Sequence, residues 1–189
     1  MLIRLKNFWD AKIYLFSNKY KKIYQRFYFN YLRKRLRNKD FSLFSPNCYA
    51  GIIYHRLKLQ FKSPTINMFF PSKKQYLKFC CNIKYYLTVP LIECKDERFP
   101  YPVGLLEDIE IVFNHSKTFE EAYVSWNNRK KRVNYDNIFL IFDDYVDAEY
   151  DDLIQFNKIP CQGKVILTAK EYENLDNVIQ IKNTRRIML

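Results

Sequence analysis

The sequence predicts an α/β fold: a three-layer sandwich with a mostly parallel, Rossmann-like sheet, preceded by an N-terminal amphipathic helix. Three observations carry this reading. From Asp40 onward, short apolar runs alternate with segments of helical period, the order that lays helices on a parallel sheet. Residues 138–142 read Ile-Phe-Leu-Ile-Phe with no polar break, as a strand buried on both faces does. Residues 1–39 instead place apolar side chains at three- and four-residue steps without any Gly or Pro, which is helical periodicity. The chain is therefore read as a basic aromatic helix over 1–39 and a single α/β domain over 40–189.

The stripe of the first segment is Leu5, Trp9, Ile13, Phe16, Tyr20, Tyr24, Phe27, Tyr31 and Leu36, with Lys12, Lys19, Lys22, Arg26, Arg33 and Lys34 between them. No run approaches the ~18 apolar residues of a membrane span, and no signal-peptide pattern is present. Three partners suit a basic aromatic helix: an anionic membrane surface, the body of this chain or a second copy, and a nucleic acid. The basic run from Arg33 to Lys39 closes the segment.

Beyond it, a strand is expected over residues 41–45 and a helix over 49–61, with Ser63-Pro64 turning the chain. Thr and aromatic residues suggest a strand over 65–70. Pro71 and Ser72 open a helix over 73–86. Residues 91–94 read as an edge strand. Residues 100–104 read as a stiff connection, because each proline holds its predecessor out of the helical region. A strand over 109–113 precedes Thr118-Phe119-Glu120-Glu121, which matches a capping box. The helix it opens ends among Arg129, Lys130, Lys131 and Arg132, cations suited to a helix C-terminus. After the strand at 138–142 come an acidic helix (147–157), a strand (164–167), a short helix (169–174), a strand (178–181) and a basic tail.

Composition excludes several chemistries. Three glycines in 189 residues leave no Gly-rich phosphate loop, and no motif names a cofactor. Five cysteines, odd in number and without a C-x-x-C pair, argue against a zinc cluster or disulfide framework and for a reduced, cytoplasmic setting. Residues 1–39 hold twelve Lys and Arg against one acid, Asp10, so +11 of the chain's +12 resides there. The near-neutral body argues against a nucleic-acid partner.

The chemistry-bearing residues fall at strand ends, where α/β proteins bind ligands. Cys48 lies where a strand stops and a helix begins, and a helix N-terminus lowers a thiol's pKa. His115 follows the strand at 109–113, and Asp143 follows the strand at 138–142. Cys, His and Asp are the residue types of a nucleophile, its base and an orienting group. The plainer reading is a buried structural thiol with ordinary cap residues. His55, one turn beyond Gly51, reads as a helix-surface residue. Trp126, Arg129 and Arg132, with Asn134 following, form a stripe able to stack on a ring and clamp a phosphate or carboxylate. The same stripe is equally a core Trp with solvated arginines.

Four motifs together resemble a known family: Ser45-Pro46-Asn47-Cys48-Tyr49-Ala50-Gly51, Tyr101-Pro102-Val103-Gly104, Phe113-Asn114-His115, and the run from Trp126 to Asn134. They are similar to the bacterial domain-of-unknown-function family nineteen-nineteen, associated with exopolysaccharide and capsule biosynthesis. The resemblance covers about Asp40 to Ile181 and leaves residues 1–39 outside. The family reads Asn-Asn-Cys-Trp-Gly-Gly at the first motif; here Pro46, Tyr49 and Ala50 depart from it, while Asn47, Cys48 and Gly51 keep it. The resemblance implies an enzyme of surface-glycan assembly, an acyl- or glycan-modifying transferase. Cys48 would be nucleophile or donor-site residue, His115 base, and Asp143 its orienting partner. Asn47, Gly51, Trp126, Arg129, Arg132 and Asn134 would bind a glycan or an activated donor such as a lipid-linked sugar. The basic helix would hold the protein at the inner face of the plasma membrane. The rival is a non-catalytic accessory protein of a glycan-assembly complex.

Overall fold

The structure, a computed structural model, describes Tyr20, residues 23–145 and residues 147–181. It divides into two compact units, Met1–Lys39 with His55–Leu59, and Asp40–Tyr54 with Gln60–Leu189. In the first, residues 23–35 form helix α1. Gln25, Phe29 and Leu32 are partly covered, with the Arg56 guanidinium 5.2 Å from the Phe29 ring centre. Ile23, Tyr24, Phe27, Tyr28 and Tyr31 are exposed. Leu5, Trp9, Ile13, Phe16 and the basic tail lie outside the described residues.

The chain continues through β1 (Ser42–Phe44), α2 (Tyr49–Arg56), α3 (Lys73–Cys81), α4 (Ile83–Tyr86), β2 (Ile92–Cys94), β3 (Val103–Leu106) and β4 (Ile109–Val112). It then forms α5 (Phe119–Lys130), β5 (Ile138–Asp143), α6 (Tyr150–Lys158), β6 (Gly163–Thr168) and β7 (Val178–Gln180). The class is α/β, with a parallel sheet ordered β1-β5-β6-β7. A second, antiparallel sheet is ordered β2-β3-β4.

That second sheet departs from the sequence reading, which places residues 109–113 among the parallel strands and residues 100–104 in a connection. Glu107 adopts a left-handed φ of 57° and turns β3 straight back onto β4, pairing Leu106 with Ile109. A link this short cannot make the crossover that parallel pairing needs. The expected strand at 65–70 is a loop. Asn67 takes φ 61°, which no strand accommodates, and only Phe69 pairs, as an isolated bridge to Val112. The helix expected over 73–86 breaks at Asn82, whose φ of −137° and ψ of 42° cap α3. No helix forms at 169–174, because Asp144 ties that segment through Ala169 N (2.9 Å) and the Tyr172 hydroxyl (3.4 Å).

Other local signals fold as the sequence suggests. The Thr118 hydroxyl accepts from Glu121 N at 3.3 Å. Glu121 reaches back one residue further than a capping box requires, to Lys117 N at 2.9 Å. One core joins both sheets: Ile109 and Ile111 of β4, Leu140 and Phe142 of β5, and Ile166 of β6 pack with Tyr76, Phe79, Trp126 and Phe156. Among the described residues, no helix is long and apolar enough to cross a membrane.

Candidate functional site

Because β1, β5 and β6 run parallel, their carboxyl ends share one edge, and the polar residues there are the first place to look. Cys48 sits just before α2. Two donors of the first turn are already occupied: Tyr49 N donates to Asn47 Oδ1 at 3.0 Å and Ala50 N to Ser45 Oγ at 3.0 Å. Asn47 is thus a helix cap. Gly51 is a close-packing position, where a Cβ would stand 3.2 Å from Ile66 Cγ2.

The Cys48 thiol is half-buried, with Met68 O 4.0 Å from Sγ. Burial pushes its pKa up, outweighing the Asn114 side chain and the Met68 carbonyl that pull it down. This reverses the lowered pKa expected from the helix terminus, because desolvation of the thiolate dominates. Alkylation of Cys48, followed by site-resolved mass spectrometry across pH, is expected to show a midpoint above the free-thiol value of about 8.5. A midpoint below that value would return a resting thiolate to the site.

Asp143 is fully buried at the end of β5. Its Oδ1 pairs with Lys73 Nζ at 2.8 Å and accepts from Tyr145 N at 3.2 Å. Among the described residues its Oδ2 has no hydrogen-bond partner, and neither do the buried polar atoms Tyr145 OH and Thr168 Oγ1. Burial raises the carboxyl's pKa, with Lys73 opposing. His115 is exposed and makes no side-chain hydrogen bond among the described residues. Cys48, His115 and Asp143 therefore do not form a hydrogen-bonded relay. Asp143 is held by Lys73, Cys48 stands beside Asn114, and His115 opens into a separate groove.

That groove, about 490 Å³, lies between the 64–67 loop, the 113–116 loop and α5; Asn67, His115, Glu120, Trp126 and Arg129 help line it. Trp126 is buried edge-to-face on Phe113, with ring centres 6.3 Å apart. Its indole N–H has no hydrogen-bond partner among the described residues. Arg129 is half-buried, donates to Ile66 O at 2.9 Å and lies 5.5 Å from the Phe61 ring centre. Burial first, and Arg132 second, lower its pKa. Among the described residues no carboxylate forms an ion pair with it, which leaves a desolvated cation suited to an anionic ligand.

The remaining candidates go elsewhere. Arg132 is exposed, its guanidinium 3.4 Å from Phe61 O. Asn134 belongs to the opposite end of the sheet, bonding Ser42 Oγ from its N–H at 2.8 Å and Asp40 O from its side chain at 3.1 Å. It ties the start of β1 and takes no part in the groove. Sequence reasoning missed Asn114, whose buried Oδ1 has no hydrogen-bond partner among the described residues, and Lys73. The only signals were Asn114's place before His115 and Lys73's place at the head of α3. Among the described residues, no three His, Cys, Asp or Glu side chains converge on a metal position.

A family model described as Domain of unknown function (DUF1919) matches residues 19–187. The match begins at residue 19, inside the basic segment that the motifs alone leave outside the family. An uncharacterised protein of Haemophilus influenzae is 36% identical over 159 residues, spanning 84% of this chain and 76% of that protein.

Proposed function

Since the chain belongs to the DUF1919 family, we propose that it is a transferase of surface-glycan assembly, cytoplasmic, moving an acyl or glycosyl group onto a glycan hydroxyl. The parallel sheet is read as the centre of a Rossmann-like three-layer domain. The observation that carries the proposal is the half-buried Arg129 without a carboxylate partner, in the same groove as the exposed His115.

In this reading Arg129 holds the phosphate or carboxylate of donor or acceptor. His115 takes the proton of the acceptor hydroxyl as its oxygen bonds to the transferred group, and the leaving group departs with the electron pair. Trp126 offers its free indole N–H to the ligand. Cys48, a half-buried thiol whose pKa burial raises, stands outside the groove lining and is given no step in this reading. Asp143 belongs to the neighbouring strand-end cluster.

Nucleotide-sugar and acyl-thioester donors, screened with glycan acceptors by mass spectrometry, test this. Turnover is expected to fall roughly 10²–10⁴-fold in His115→Ala with unchanged thermal stability, since the side chain is exposed. An activity indifferent to His115 and Arg129 sinks the proposal. The absence of a Cys–His–Asp relay favours one alternative, an accessory protein that binds a glycan or donor without turnover. Ligand binding in the groove with no product under any donor would select it.

A further inference from the structure

We infer that α1 is an interfacial helix that docks the protein on an anionic lipid surface, independently of any activity in the groove. Three observations lead there. Ile23, Tyr24, Phe27, Tyr28 and Tyr31 fall on one helical face by their three- and four-residue spacing, and this face is the open one. Tyr24 is 69% and Phe27 71% exposed, whereas Phe29 and Leu32 on the other side are partly covered. Solvent-facing aromatics of this size in one continuous patch mark an interaction surface.

The second observation is charge. Residues 1–39 carry twelve cations against one acid. The third is segregation. No charged residue interrupts the aromatic face between Ile23 and Tyr31, while Arg26 and Arg33 lie off it and Lys34 and Arg35 follow its end. A nucleic-acid surface interleaves cations with stacking rings along one groove. An interfacial helix instead separates an apolar face from basic flanks, with Tyr hydroxyls at headgroup level. Charge complementarity selects the occupant: acidic headgroups attract juxtamembrane Lys and Arg, and zwitterionic ones do not.

The test uses the full chain and sedimentation with vesicles of phosphatidylcholine, alone or mixed with phosphatidylglycerol. Binding is expected only to the mixed vesicles and to weaken as salt rises. Joint Arg33→Glu and Lys34→Glu reversal is expected to weaken it roughly tenfold or more, as is joint Tyr24→Ala and Phe27→Ala truncation. Far-ultraviolet dichroism and the thermal midpoint of the α/β unit confirm that these variants fold. Equal binding to both vesicle types, or none, overturns the inference. So does a concentration-dependent dimer abolished by Tyr24→Ala with Phe27→Ala, which would assign the face to a second copy. An oligonucleotide that strips the protein from vesicles at equimolar amount would assign it to nucleic acid.

Discussion

Lys73→Met is expected to destabilise the protein by about 3–5 kcal/mol at neutral pH, the penalty for leaving a buried carboxylate without its cation. Asp143 is fully buried, and among the described residues Lys73 supplies its only counter-charge, at 2.8 Å. Lys73 is also an unfavourable choice locally. It stands at the first residue of α3, after the Ser72 cap, where the helix dipole disfavours a cation. The carboxylate of Asp147 offsets this by accepting Lys73 N at 3.0 and 3.2 Å.

The pH dependence has a definite sign. Asp143's folded pKa is raised, so the folded state binds this proton more tightly than the unfolded one. Its contribution to stability is greatest at low pH and declines as pH climbs from the unfolded to the folded pKa. Without Lys73 that pKa rises further. The deficit of Lys73→Met should therefore shrink on acidification. Adding Asp143→Asn should recover part of it at neutral pH. Urea denaturation of wild type, both single variants and the double variant measures all three quantities. A deficit under about 1 kcal/mol, typical of an exposed pair, or one independent of pH, contradicts the argument.

Trp126→Ala is expected to cost about 3–5 kcal/mol, as large-to-small changes in a packed core do. The indole is 1% exposed and sits against Phe113 in the core common to both sheets. Trp126→Phe should cost a fraction of that, because a ring remains and the group removed is an N–H with no partner among the described residues. Deleting an unsatisfied buried donor carries little penalty. The two variants separate packing from recognition. If the indole N–H serves a ligand in the groove, Trp126→Phe keeps stability and weakens that ligand's binding, read by denaturation and by titration. A phenylalanine variant as unstable as the alanine one would show that the whole indole is needed for packing.

Much of the fold was legible because its signals are local. The apolar run at 138–142 became the central strand β5, and Thr118 became a helix cap. The turn at Cys48 lies where the strand-to-helix change placed it. What stayed hidden depends on partners far along the chain. The hairpin of β3 and β4 turns on the left-handed conformation of Glu107, a residue type with no special preference for it. Asp143 ends β5 and His115 follows β4 three residues on, yet the two strands belong to different sheets. Asp143 takes Lys73 as its partner, and no spacing rule connects those positions. The helix terminus beside Cys48 is visible in sequence and predicts a lowered thiol pKa, whereas the burial that raises it is not.

The placement of β1 has a consequence for how the chain is made. Among the described residues, β1 is an edge strand paired with β5 alone, with Ser42 beside Ile138, and about half the chain lies between them. On the ribosome, Phe41, Leu43 and Phe44 emerge early and stay unpaired until β5 follows. Pairings of such long range fold slowly and leave strand edges open to association meanwhile. A transcript that stops before β5 yields a chain that cannot bury its first strand, and quality control, not the groove, decides its fate.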